Sequence, residues 1–242
     1  MVRTMSDADS ATKITTPLSR RGFLWTGVKG AVAATALGAA WPACASAQRT
    51  LPFPDTPDAA LKELLDGNKR FVDKRPTSLD QDLAILKQST AEKQEPFAAV
   101  LSCADSRVPV ELVFDQTIGH LFVVRVAGNI ATSEMIASLE YGAAVLGTKA
   151  ILVLGHGSCG AVKATIEGKA VPGQISQLFA PLRPAIEAAG PDLEAAIKAN
   201  ARIQAKIVAT ASPLLAEMIK DGKLKVAAGH YDLSRGTVTL LP

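Results

Sequence analysis

From Asp58 onward, Leu61, Leu64, Leu65 and Phe71 recur at helical spacing, with Lys62, Glu63, Lys69 and Arg70 between them. That pattern predicts an amphipathic helix. A second helix is expected over about Leu79 to Lys93, after a loop at Arg75-Pro76-Thr77-Ser78. From Pro96 the pattern changes to short continuous apolar runs. Phe97–Leu101, Leu121–Val126, Ala150–Leu154 and Leu224–Ala228 each read as buried strands.

Helical stretches separate these runs. Val108–Phe114 is expected to open near Pro109, a favoured first-turn residue. A helix from Thr132-Ser133-Glu134 to about Gly147 places Ile136, Leu139, Ala143 and Leu146 on one side. Another begins at Ser158 or Cys159 and ends by Gly168, and an alanine-rich helical region from Gln174 to Asp221 is interrupted at Pro181, Pro184, Pro191 and Pro213. After a turn at Tyr231–Gly236, Thr237–Leu241 alternates as an edge strand. Buried strands alternating with helices predict an α/β fold. Its mostly parallel β-sheet has about four strands plus an antiparallel edge strand, flanked by helices, with an N-terminal helical arm.

Residues 1–47 have the composition of an address. Ser19-Arg20-Arg21-Gly22-Phe23-Leu24 pairs two arginines ahead of apolar residues, and Gly27–Trp41 is rich in Ala, Gly and Val. Ala45-Ser46-Ala47 supplies a small-x-small cleavage pattern. The apolar run is short for a bilayer span. Together these resemble a bacterial twin-arginine export signal, so the expectation is a periplasmic protein with no stable membrane association after cleavage. Residues 48–95, opening on Pro52, Pro54 and Pro57, then form an extended lead-in and helical arm, and 96–242 the core.

Charge narrows the partners. The net charge is only +3 and the basic residues are scattered, which gives no case for nucleic-acid binding. The three cysteines, Cys44, Cys103 and Cys159, make no disulfide framework.

Two loops carry the candidate chemistry. Val100–Pro109 reads V-L-S-C-A-D-S-R-V-P, placing Cys103, Asp105 and Arg107 at alternate positions after the first strand. Gly155–Gly160 reads G-H-G-S-C-G, placing His156 and Cys159 after the third. In an open α/β sheet, ligands bind at the carboxyl ends of strands. Two thiolates, one imidazole and a fourth ligand make a tetrahedral zinc site. Asp105 is either that fourth ligand or the acceptor of a hydrogen bond from a zinc-bound water, and Arg107 can hold it off the metal through a charge-assisted pair. Cys159, opening a helix, gains thiolate character from the helix dipole.

C-A-D-S-R-V-P, F-V-V-R-V-A-G-N (Phe122–Asn129) and L-G-H-G-S-C-G-A (Leu154–Ala161), with the closing Tyr231-Asp232-Leu233 turn, resemble the β-class carbonic anhydrases. The resemblance implies Cys103, His156 and Cys159 as zinc ligands and Asp105 with Arg107 as the catalytic dyad. It also implies a substrate pocket drawn from Gln94, Phe122 and Tyr141, with Val108 adding to the apolar wall. Ala127 stands where many members have valine, and Val100 where some have a tryptophan of an inhibitory bicarbonate pocket. The implied reaction is reversible hydration of carbon dioxide by zinc-bound hydroxide, in a homodimer or homotetramer whose N-terminal helices wrap the neighbour. His120 and His230 are proton-shuttle candidates by type only. Three alternatives stand beside this: a related zinc hydrolase of carbon disulfide or carbonyl sulfide, a non-catalytic zinc-binding protein, and a cysteine phosphatase. The last is disfavoured because three residues, not five, separate Cys103 from Arg107.

Overall fold

A computed structural model describes residues 53–78 and 93–242. The expected export signal and the expected helix over 79–93 fall almost wholly outside the described residues. Helix α1 spans Pro57–Val72. Thr56 caps it, its hydroxyl accepting from Ala59 N at 3.2 Å, and Pro57 occupies the first turn, where no helical N–H is needed. Ala60, Leu61 and Leu64 form its buried face. Gly67 lets it seat closely, because a Cβ there would lie 1.8 Å from the Phe114 carbonyl oxygen.

Five strands follow: β1 (Ala98–Ser102), β2 (Leu121–Arg125), β3 (Ala150–His156), β4 (Lys225–Tyr231) and β5 (Val238–Leu241). They form one sheet in the order β2-β1-β3-β4-β5. All pairs are parallel except β4–β5. This is the expected fold class. Both central strands, β1 and β3, are buried throughout, because helices cover both faces. Ala98, Val100, Leu152 and Leu154 pack toward α1 and the short helix α2 (Val110–Val113). Ala99, Leu101, Ile151 and Val153 pack on the other face with residues of α3 (Ser133–Glu140), α6 (Leu193–Ala211) and α7 (Pro213–Lys220). Alternate residues of one strand serve both layers, the two-residue period of a pleated strand. Completing the layers, α4 spans Gly160–Glu167 and α5 Phe179–Ala189.

Several element boundaries differ from expectation. The helix from Ser133 is regular only to Glu140 and then widens into a π turn over Tyr141–Val145. Gly142 there sits so close to Phe122 that a Cβ would meet its ring at 3.1 Å. Pro181 and Pro184 do not interrupt the chain, since α5 runs through both. Pro181 lies in the first turn, where its missing N–H costs nothing, and Pro184 removes one interior bond. Pro109 precedes α2 as its cap instead of lying within it. Strand β4 extends to Tyr231, which pairs with His156, so a tyrosine read as turn belongs to the sheet.

Candidate metal centre

Cys103 leaves the carboxyl end of β1, His156 closes β3, and Cys159 caps α4. Adjacent parallel strands therefore bring the two signature loops to one end of the sheet. The ligand atoms of Cys103, His156 and Cys159 lie within 4.8 Å of one another, and all three residues are buried. Ligands about 2.0–2.3 Å from a common centre require that spacing. His156 Nδ1 lies 3.0 Å from the Gly157 carbonyl oxygen. A proton on Nδ1 makes that bond and leaves Nε2 with its lone pair free. Nε2 is buried and has no hydrogen-bond partner, as a metal ligand requires.

The thiols show the same need. The Cys103 thiol is held down by a hydrogen bond from Cys159, against burial and with help from His156 and the Gly128 amide. Cys159 is pushed up by its bond to that first thiolate and by burial. One thiolate opposes ionisation of the second, and a cation between them would favour both. These residues fit zinc: two thiolates and one imidazole make three protein ligands, the number that catalytic and not structural sites use.

Asp105 is gripped by Arg107. Nε donates to Oδ1 at 2.9 Å and Nη2 to Oδ2 at 2.7 Å, while the Arg107 backbone amide also donates to Oδ1 at 2.9 Å. These bonds hold the Asp105 carboxyl well below the usual carboxylate range. Its Oδ2 lies 3.8 Å from His156 Nε2, at the edge of the ligand cluster. The two sequence-derived loops thus meet in space. Arg107 also donates to the Ser158 carbonyl at 3.3 Å, tying one loop to the other.

The remaining predicted pocket residues are placed elsewhere in a single chain. Val108 is fully buried in the core beside Leu152 and Leu154. Gln94 is exposed ahead of β1, a whole strand length from Cys103. Phe122 pairs with Ala99 near the amino end of β2, and its ring lies 6.2 Å from that of Tyr141, which is 47% exposed. His120 stacks against Phe53 and Phe97, and His230 lies 3.2 Å from a Glu194 carboxylate oxygen.

Sequence reasoning missed the supports of the site. Arg125 donates to the Cys103 carbonyl at 3.0 Å and to the Asp105 carbonyl at 2.6 Å, fastening the ligand loop to β2. Ser158 takes a left-handed conformation, φ 55°, and its amide donates to Glu194 at 3.0 Å. Asn200 and Gln204, both buried, hold the loop after β2. Their signal was two amides four apart on the alanine face of a helix.

A parallel α/β sheet whose carboxyl end carries a three-ligand thiolate–imidazole cluster and a locked carboxylate defines a zinc-dependent enzyme. A family model described as carbonic anhydrase matches residues 98–238. Carbonic anhydrase 2 of Mycobacterium tuberculosis is 34% identical over 197 residues, 78% of this chain and 95% of its own length. A carbonic anhydrase of Mycolicibacterium smegmatis is 42% identical over 134 residues, 54% of this chain and 65% of its own. The structure of a Coccomyxa β-carbonic anhydrase in complex with acetazolamide superposes with a TM-score of 0.57 at 25% identity, covering 75% of this chain and 86% of that one. This chain belongs to the carbonic anhydrase family, in its β class.

Proposed function

We infer that this protein is a carbonate dehydratase, catalysing the reversible hydration of carbon dioxide to bicarbonate and a proton. One observation carries the reading: a buried three-ligand cluster beside a carboxylate locked by an arginine. Zinc held by Cys103, His156 and Cys159 supplies Lewis acidity that makes water a nucleophile near neutral pH. Asp105 is ionised there, so it accepts a hydrogen bond from the attacking water and aims its lone pair at the substrate carbon. Arg107 occupies both Asp105 oxygens and keeps the carboxylate off the metal, so the site rests in its open arrangement. Stopped-flow hydration of carbon dioxide, with zinc content measured on the same sample, tests this. A zinc-replete protein that released sulfide from carbonyl sulfide but left carbon dioxide unreacted would overturn it.

The site is completed by a second copy of the chain. Gln94 and the Phe122–Tyr141 pair lie away from the ligands in their own chain. Tyr141 and Val145, 47% and 65% exposed, form an apolar patch beside edge strand β2. In a homodimer or homotetramer, Gln94 of one copy donates to a substrate oxygen in the other, and the aromatic pair excludes water. Mixing inactive Gln94→Ala and Cys159→Ala chains should restore partial activity; no restoration would overturn the contribution of Gln94 across the interface.

Residues 1–47 direct twin-arginine export and are removed, leaving a periplasmic enzyme. Arg20-Arg21, the Gly27–Trp41 run and Ala45-Ser46-Ala47 support this. Among the described residues, no helix is long and apolar enough to cross a membrane. Replacing both arginines by lysine should retain the uncleaved protein in the cytoplasm on fractionation.

A further inference from the structure

Two amide side chains, Asn200 and Gln204, are only 0% and 1% exposed on α6, a helix whose other buried positions are Ala196, Ile197, Ala201, Ala205 and Val208. Buried amides need complete partners, and these lead to the metal centre. Asn200 Nδ2 donates to the Gly128 carbonyl at 2.9 Å. The Asn129 amide donates to Val126 O at 2.9 Å, so the peptide after Gly128 is held on both edges. Gly128 is itself left-handed, φ 78°, and a Cβ on it would meet Leu182 at 3.1 Å. With its following peptide fixed, the Gly128 amide points at the sulfur of Cys103, 3.3 Å away. Gln204 orients Asn200 in turn: its Nε2 donates to Asn200 Oδ1 and to Pro181 O, both at 3.1 Å, and its Oε1 accepts from Ala131 N at 2.9 Å.

We propose that Asn200 is a positioning residue for the metal centre: through Gly128 it holds a backbone N–H on the Cys103 sulfur and so limits the charge that this thiolate donates to the metal. The proposal rests on the zinc reading above. Partners of metal ligands act in this way, fixing the ligand and tuning its donation. A hydrogen bond to sulfur withdraws charge from the metal–sulfur bond. The metal is left more electrophilic, which is what a site with two thiolates needs to activate water. Gln204 acts one step further out, by presenting the Asn200 amide in a single orientation.

The test uses full-length protein carrying cobalt in place of zinc. Asn200→Leu keeps the branched shape and deletes the donor, and Asn200→Ala deletes it with a smaller side chain, should the first fail to fold. Leu215→Ala, in the core away from Gly128, serves as a control for lost stability. Either Asn200 variant should move the thiolate-to-cobalt charge-transfer band to lower energy, because the sulfur donates more, and weaken cobalt binding about tenfold, because the Cys103 loop is less well positioned. The control should lower the melting temperature with the band unmoved. An Asn200 variant whose band and cobalt affinity match the parent's, whatever its melting temperature, overturns the proposal while leaving the zinc reading intact. A parent protein that takes up no cobalt overturns both.

Discussion

Arg107 holds Asp105 by both carboxylate oxygens, at 2.9 and 2.7 Å, and the pair sits where Oδ2 is 3.8 Å from the ligating nitrogen of His156. A carboxylate that close to the ligand cluster has two uses, as ligand or as hydrogen-bond acceptor, and we propose that the guanidinium selects the second. Asp105→Asn keeps the shape and removes the charge. It should retain zinc and lower carbon dioxide hydration by about 10²-fold or more, the usual scale for a positioned acid–base group. Arg107→Ala frees Asp105 instead, and X-ray absorption should then fit zinc with two sulfurs, one imidazole nitrogen and a carboxylate oxygen in place of water.

Removing a ligand is a different lesion from removing the dyad. Cys159→Ala deletes one thiolate of the cluster, so the purified protein should contain far less than one zinc per chain by metal analysis. Stripping zinc from the parent with a chelator should lower its melting temperature, because the folded state alone assembles the three ligands.

Ser158 joins the two loops through its backbone alone: its amide donates to Glu194 and its carbonyl accepts from Arg107. At φ 55° its side chain is a conformational burden. Ser158→Gly should keep activity and raise stability by up to about 1 kcal/mol in thermal or urea melts. Ser158→Val, β-branched in a left-handed position, should lower both.

Asp115 anchors the N-terminal arm. Its side chain is wholly buried and accepts from Arg70, from the Thr77 amide at 2.8 Å and from the Ser78 amide at 3.0 Å. Burial, the largest single influence, pushes its pKa up, but these bonds outweigh it and the folded carboxyl lies below its ordinary value. The unfolded carboxyl titrates near about 3.9. Asp115 therefore contributes its full stability above that pH, and the contribution is lost as pH falls through the lower folded pKa. Asp115→Ala leaves Arg70 half-paired and should cost about 3 kcal/mol at pH 7. Urea melts of metal-free parent and variant should converge as pH drops below about 4.

Gly67→Ala tests how closely α1 seats. The added methyl would lie 1.8 Å from a backbone oxygen of Phe114, which no side-chain rotation relieves. The variant should be destabilised by about 3 kcal/mol or more, read as a fall in melting temperature.

Much of this was legible in the chain. Continuous apolar runs such as Ala150–Leu154 announce strands covered on both faces, because only burial on both sides tolerates apolar residues at consecutive positions. The two ligand loops were legible because metal ligation demands particular residue types at short local spacing, and each loop carries its set within six or seven positions. The family resemblance followed from those same loops. The conformation of Asp105 was not: C-x-D-x-R permits a carboxylate on the metal or on the arginine, and only the folded loop shows both its oxygens bonded to Arg107. Neither was the reach of β4 to Tyr231, which depends on pairing with His156 across the sheet, nor the exposed position of Gln94. Asn200 and Cys103 are ninety-seven residues apart in the chain, and no local pattern links an amide on α6 to a sulfur after β1. Local sequence determined which chemistry is present, since residue type and short-range spacing fix the available ligands and strand burial. Tertiary packing decided how that chemistry is held, because hydrogen bonds between distant segments exist only once the sheet and its helices are assembled.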